Sequence, residues 1–356
     1  MIEKRYFGKY DTTKIYQYIV TVDDFKVKFC EMGAAILSVV LKDSGGIERD
    51  VVLGFSKTEN YMDNWPALGA VVGRYANRIS QAKFSISGET FHLAENIPGG
   101  CLHSGDSYQF RPWQSETFED EDGAHIVFYL ESPHMDQGFP GNLKVKTEYV
   151  VGNDYSITIN YEYESDKDTP VNLTNHTYFN LGGHDSGSVE GHKLMILADK
   201  VTQIDERQMP TGNLLDITGS AFDFRMPTVI KENASKSFES YCVGQGYDIN
   251  YVLLGEEGEY RQVAAVENEW TGISMKVFTD MPGLQFYVAD CIADIQGKEG
   301  VCYEKKSGFC LETQFFPDAI NIENFPSPVI KAGELKKTTT KYKFHIIAKE
   351  QTIEKV

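Results

Sequence analysis

Along most of the chain, apolar side chains recur at every second position. Phe25, Val27 and Phe29 alternate with polar neighbours, as do Phe84 and Ile86, then Phe91 and Leu93 beyond the turn Ser87-Gly88-Glu89. A period of two belongs to strands, because successive side chains leave a pleated backbone on opposite faces. Leu143, Val145, Thr147 and Tyr149 run into Gly152-Asn153-Asp154, and Tyr155, Ile157, Ile159, Tyr161 and Tyr163 resume the pattern. Two alternating runs joined by Gly, Asn and Asp predict a hairpin. Ile273, Met275 and Val277 precede Met281-Pro282-Gly283, Leu284, Phe286 and Val288 follow it, and Tyr342, Phe344 and Ile346 predict a late strand. Helical periodicity is confined to two short stretches, 57–62 and 236–242. Many short strands separated by turn signals predict an all-β sandwich or barrel. No Pro/Ser-rich linker and no fixed-period repeat divides the chain, so a single domain over residues 1–356 is expected.

Charge narrows the partners. The 356 residues carry 52 Asp and Glu against 34 Lys and Arg, a formal net charge of −18. Such a surface repels phosphate backbones and anionic lipid heads, so no nucleic-acid and no membrane partner is expected. A neutral substrate is indifferent to that field. The start, Met1-Ile2-Glu3-Lys4-Arg5-Tyr6, has no apolar core of a secretory signal, and no apolar run is long enough to span a bilayer. Six cysteines, Cys30, Cys101, Cys242, Cys291, Cys302 and Cys310, form no CxxC pair and read as reduced thiols. A cytoplasmic protein is expected.

Polar and glycine-rich runs interrupt the strands in a few places. They are Gly73-Arg74-Tyr75-Ala76-Asn77-Arg78-Ile79, Leu102-His103-Ser104-Gly105, Asn175-His176-Thr177-Tyr178-Phe179-Asn180-Leu181, Gly246-Tyr247-Asp248 and Leu311-Glu312-Thr313-Gln314. Taken singly, each residue has a plainer reading: His103 as a hydrogen-bonded core or edge residue, His176 as part of an Asn/Thr network, Glu312 as paired, Arg78 and Asp248 as ion-paired, Gln285 as solvated. One reaction would use all these types together. Opening a cyclic hemiacetal needs a base for the anomeric hydroxyl proton and an acid for the ring oxygen, and one carboxylate with one imidazolium suffices. Unperturbed Glu and His titrate near ~4.3 and ~6.5, so the productive pair exists between those values. Extending that window to neutral pH requires a site that raises the His value. Asn, Arg, Asp, Gln and a second His suit the paired donors and acceptors of a neutral polyol. Tyr178, Phe179 and Phe286 are candidates to cover the apolar face of a sugar ring.

Together these runs resemble the aldose 1-epimerase (galactose mutarotase) family, from about Phe7-Gly8 to the strand near Phe344. The resemblance implies a large antiparallel β-sandwich with the sugar in a cleft on one concave sheet. It implies Glu312 as base, His176 as proton donor, and His103 as a hydrogen-bonding residue near the ring oxygen. Asn77, Arg78, Tyr178, Asp248 and Gln285 would bind the sugar. The implied reaction interconverts the anomers of a free aldohexose of galactose or glucose type, in a monomer or homodimer, with no cofactor and no metal. Gln137-Gly138-Phe139-Pro140-Gly141-Asn142-Leu143, Pro210-Thr211-Gly212 and Phe222-Asp223-Phe224 are weaker landmarks of the same family.

The chain departs from the family pattern at Cys101, Ser104, Asp106-Ser107-Tyr108-Gln109-Phe110 and Ile249, in segments expected near the cleft. Four other readings compete. A binding module without turnover would not need both Glu312 and His176. A sugar-phosphate epimerase would need a cationic clamp, which the motifs do not supply. A metal site of His103, His176 and Glu312 lacks close ligand spacing. A glycosidase using Asp248 and Glu312 would leave the histidine motif without a role.

Overall fold

The computed structural model describes residues 1–234 and 246–347. The stretch 236–242, expected to hold a short helix, therefore lies outside the described residues. The other short helix forms at Thr58–Met62. Among the described residues, no helix is long and apolar enough to cross a membrane.

Three antiparallel sheets make up the body. One has five strands in chain order, from Ile2–Tyr10 to Glu48–Asp50. A nine-stranded sheet contains the meander Ala124–Ser132, Leu143–Gly152 and Ser156–Ser165 on one side of its central strand, Lys336–Ile346. The predicted hairpin forms with Gly152 opposite Ser156. A second five-stranded sheet runs Pro210–Asp216, Ala198–Ile204, Asp248–Leu253, Gly283–Val288 and Phe309–Gln314. Met281-Pro282 carries the chain from the nine-stranded sheet at Ile273–Thr279 into this one, so the alternating runs on its two sides belong to different sheets.

Both five-stranded sheets pack their apolar faces onto the nine-stranded one. The Phe29 and Tyr149 rings lie 4.8 Å apart, and Tyr342 donates its hydroxyl to the Leu311 carbonyl at 3.0 Å. Phe25, Val27, Ile157, Phe286, Leu311 and Phe344 all belong to one buried apolar cluster. Burying that surface is the main drive for the sandwich. The segment after Val171 then joins the two smaller sheets: the Phe179 backbone bridges Val52 on one side and Phe309 on the other. That seam fixes where the neighbouring His176 sits.

Candidate active site

Register builds one wall of a cleft. Asn250, Gln285 and Glu312 lie side by side across three strands, and Asp248, Tyr287 and Cys310 form the next row. Period two puts both rows on the same face and sends Ile249, Phe286 and Leu311 into the core. Phe286 therefore does not cover a ligand; it packs against Tyr247 and Phe224. Phe179 is likewise a core residue, 4.9 Å from the Tyr342 ring. Of the three aromatics expected over a sugar, Tyr178 alone lines the cavity. Its hydroxyl donates to the Pro66 carbonyl at 2.9 Å, and its ring stacks on His176 at 5.0 Å.

His176 is held by its neighbours in the motif. Its backbone N–H donates to the Ala70 carbonyl and its own carbonyl accepts from Gly69. Asn175 donates to the Gly69 carbonyl and the Tyr149 hydroxyl, and Asn180 donates to the carbonyls of Gly187 and Ser307. The Asn residues thus form the structural network, and the histidine is what that network presents. His176 Nε2 lies 3.6 Å from Glu312 Oε1, and its Nδ1 lies 3.4 Å from the Cys310 thiol sulfur. Glu312 Oε2 is buried and has no partner among the described residues.

The Asn77 run approaches from the opposite side. Asn77 and His103 both adopt left-handed backbone angles, φ 65° and 52°, a conformation uncommon outside glycine and costly for His. The Asn77 N–H donates to His103 Nδ1 at 3.1 Å, and the His103 N–H donates back to the Asn77 carbonyl at 2.9 Å. With Nδ1 accepting, neutral His103 carries its proton on Nε2 and is a donor. Arg78 Nη2 lies 3.3 Å from Asp248 Oδ2 and donates to Gln208 Oε1 at 2.6 Å. Gln285 Nε2 donates to Asp248 Oδ1 at 2.6 Å. The eight site residues implied by the family resemblance, Asn77, Arg78, His103, His176, Tyr178, Asp248, Gln285 and Glu312, all line one cavity of about 330 Å³. That is a volume suited to a small ligand.

Burial sets the protonation. It pushes the Glu312 carboxyl well above the usual carboxylate value, with Asp248 adding to the rise and Arg78 opposing it. It lowers His176 to about 4, and also lowers His103 well below the ordinary range, helped by His176 and Arg78. A site that raises the His value, as neutral-pH chemistry seemed to require, is not what forms. Both shifts favour the uncharged forms, carboxylic acid and neutral imidazole. This combination holds the same single proton as carboxylate and imidazolium, so the reactive form is reached by moving one proton within the pair.

Cys310 is buried, and burial beside Glu312 keeps its thiol protonated. His176, Cys310 and Glu312 are also the donors near the cleft that converge within 4.8 Å, with Cys310 in the place where His103 was considered. They present different nitrogens of one imidazole to sulfur and carboxylate. The five described cysteines form no disulfide among themselves, and Cys242 lies outside the described residues.

Sequence reasoning missed Trp65, Pro66, Gln208, Tyr287, Asp290 and Cys291 on the cavity wall. Tyr287 shared the parity of Gln285 and could have been found. Trp65 is 57% exposed at the lip. Its loop is closed locally by Asn64 on Leu68 and fixed by Gln109, which donates to the Asn64 carbonyl from 45 residues away, a contact with no local signal. The departures from the family pattern do not reach the cavity. Ser104 bonds the Tyr75 backbone, Tyr108 is wholly buried, and Ile249 faces the core.

Comparison with known proteins agrees with this architecture. The profile of the family described as aldose 1-epimerase matches residues 17–343. A galactose mutarotase from Rattus norvegicus is 37% identical over 326 residues, covering 91% of this chain and 92% of that protein. An aldose 1-epimerase from Escherichia coli (strain K12) is 36% identical over 324 residues, covering 89% and 91%. Among solved structures, a galactose 1-epimerase from Lactobacillus acidophilus NCFM superposes with a TM-score of 0.86 at 24% identity, covering 98% of this chain and 99% of that one. An aldose epimerase homologue from C. elegans gives 0.84 at 25% identity, covering 92% and 98%.

Proposed function

The chain belongs to the aldose 1-epimerase family, and we propose that its cleft opens and recloses the ring of free aldohexoses of galactose or glucose type with Glu312 as base and His176 as acid. The chemistry of the family interconverts α and β anomers. The observation that carries the residue assignment is Glu312 Oε1 at 3.6 Å from His176 Nε2 on the wall of a sugar-sized cavity, with Glu312 Oε2 uncommitted.

The step balances within the pair. Glu312 as carboxylate takes the proton of the anomeric hydroxyl. The C1–O bond gains double-bond character as the bond from C1 to the ring oxygen breaks, and His176 gives its Nε2 proton to that oxygen. Rotation about C1–C2 turns the aldehyde. In the reverse step His176 recovers the proton, the ring oxygen attacks the other face, and Glu312 protonates the new hydroxyl. The neutral His103 tautomer supports the ring oxygen as a hydrogen-bond donor. Arg78, Asn77, Asp248 and Gln285 take the sugar hydroxyls, and Tyr178 lies beside the ring.

Polarimetry on freshly dissolved α-D-galactose and α-D-glucose tests this reading. Acceleration above the spontaneous rate that is lost in Glu312→Gln supports it. Spontaneous rates with every aldose in a panel would reject it.

A further inference from the structure

The cleft carries an imbalance that anomerising a neutral sugar does not call for. Arg78 is the one cation among its described lining residues, and it is already engaged by Asp248 and Gln208. Three carboxyl groups line the same space: Glu312, Asp248 and Asp290. Asp290 has no part in the acid/base pair or in the Arg78–Asp248–Gln285 chain. It follows the strand Gly283–Val288, its N–H donating to the Val288 carbonyl at 2.7 Å. Its carboxylate rests over Gly246: a Cβ there would fall 1.8 Å from Asp290 Oδ2, so any larger residue would displace it.

Among the described residues, the Asp290 side chain has no hydrogen-bond or ion-pair partner. Lys306, whose charge acts on Asp290, is already paired with Glu190 at 2.7 Å. Burial, with Glu190 and Asp248, pushes its carboxyl above the usual value despite Lys305 and Lys306. A second observation points the same way. Gln285 Oε1 and Glu312 Oε2 are buried without partners on side chains more than nine-tenths buried, and both residues line this cavity. The cleft therefore offers unpartnered acceptors and, at Asp290, a carboxyl that no described cation pairs. An ammonium group supplies three donors, one positive charge and no acceptor.

We propose that Asp290 is a specificity-determining residue that tunes this cleft toward amino-aldoses, hexoses carrying an ammonium substituent, and against anionic aldoses. The inference rests on the anomerase reading for its chemistry, but its recognition term can be measured separately. A charge-assisted hydrogen bond formed with Asp290 would give about a tenfold preference.

The experiment compares glucosamine, N-acetylglucosamine and glucose on wild type and Asp290→Asn, by calorimetric binding and by polarimetric anomerisation. Wild type is expected to bind glucosamine about tenfold more tightly than glucose. That margin should shrink at high ionic strength and be lost in Asp290→Asn. N-acetylglucosamine, with the same position filled but uncharged, should show no such margin. Equal binding of glucosamine and glucose by wild type overturns the proposal, as does a margin that survives in Asp290→Asn or with N-acetylglucosamine. If the variant fails to fold, the wild-type comparison of charged and acetylated sugars, with its salt dependence, decides alone. Absence of anomerisation with any aldose would reject the function proposed above, while the binding margin would still decide the role of Asp290.

Discussion

Two of the buried histidines are given different work by their surroundings. His176 and His192 are 6% and 1% exposed, and burial lowers both to about 4. His192 is fully committed: its Nε2 accepts from the Leu181 N–H at 3.0 Å, and its Nδ1 donates to the Val189 carbonyl at 2.9 Å. His176 leaves Nε2 facing Glu312 at 3.6 Å across the cavity wall. The same contrast separates two buried titratable groups. Lys298 reaches the carbonyls of Leu37 and Val52 and the Asp50 carboxylate, whereas Glu312 Oε2 reaches nothing described. A depressed or raised pKa therefore reports burial. The mark of the site is an uncommitted atom beside a second titratable group on the wall of a cavity.

Removing the base should break the comparison most severely. Glu312→Gln keeps the shape and is expected to lower kcat by ~10²–10⁴-fold in polarimetry. Its thermal unfolding at neutral pH should not fall, because a buried group that resists ionisation has been made neutral. A raised folded-state value also means that Glu312 contributes stability below its unfolded value near ~4.5 and loses it as pH rises through the folded one. Stability of Glu312→Gln should depend less on pH above that point.

Weakening recognition comes next. Arg78→Ala or Asp248→Ala removes a charged hydrogen-bond partner, worth ~1.5–3 kcal/mol. A ten- to hundredfold loss in kcat/KM is expected, with little change in the unfolding midpoint. A ligand-bound structure with both side chains away from the sugar would dissolve this grouping.

The shape of the pH–rate profile sharpens the account further. Only the singly protonated Glu312–His176 pair is productive, so the rate is bell-shaped, and its limbs belong to the coupled pair. With His176 held near 4, the acid limb is expected where the pair takes its second proton, below the ordinary histidine range. The alkaline limb follows loss of the last proton from a pair whose carboxyl is raised. An acid limb centred on an ordinary histidine value would instead mean that the site leaves His176 unperturbed.

Acid stability supplies a smaller effect. Each histidine has a folded value near 4 against an ordinary 6.5. Stability is full above that ordinary value and is lost as pH falls toward 4, when the unfolded chain takes up protons that the folded one refuses, by up to ~3 kcal/mol each. His192→Gln should flatten the pH dependence of urea unfolding between pH ~6.5 and ~5. His176→Asn should do the same, so stability alone does not tell the two apart.

The same logic explains what was legible in the sequence. The strands from Phe25 to Phe29 and from Leu143 to Tyr163 were readable because one face of each is buried and the other is wet. The eight motif residues converge because strand parity and short turns carry them, as with Gln285 opposite Glu312. Phe286 was misassigned although its parity, one step from Gln285, argued against the cleft. Phe179 was misassigned because side-chain type carried the reading, and the bridging role of its backbone is a tertiary fact. Trp65 comes from a loop tied to distant Gln109, Gln208 from a hairpin turn and Asp290 from a strand end; local periodicity does not encode that these meet at one cleft.

The central claim is that His176 acts in the chemistry and His192 does not, and the most direct test is the anomerisation rate per folded molecule of His176→Asn and His192→Gln in one polarimetric assay. The account predicts that His176→Asn falls by ~10²–10⁴-fold, while His192→Gln is less stable but turns over near the wild-type rate. A His176→Asn enzyme close to wild type, or a folded His192→Gln enzyme equally disabled, would contradict it.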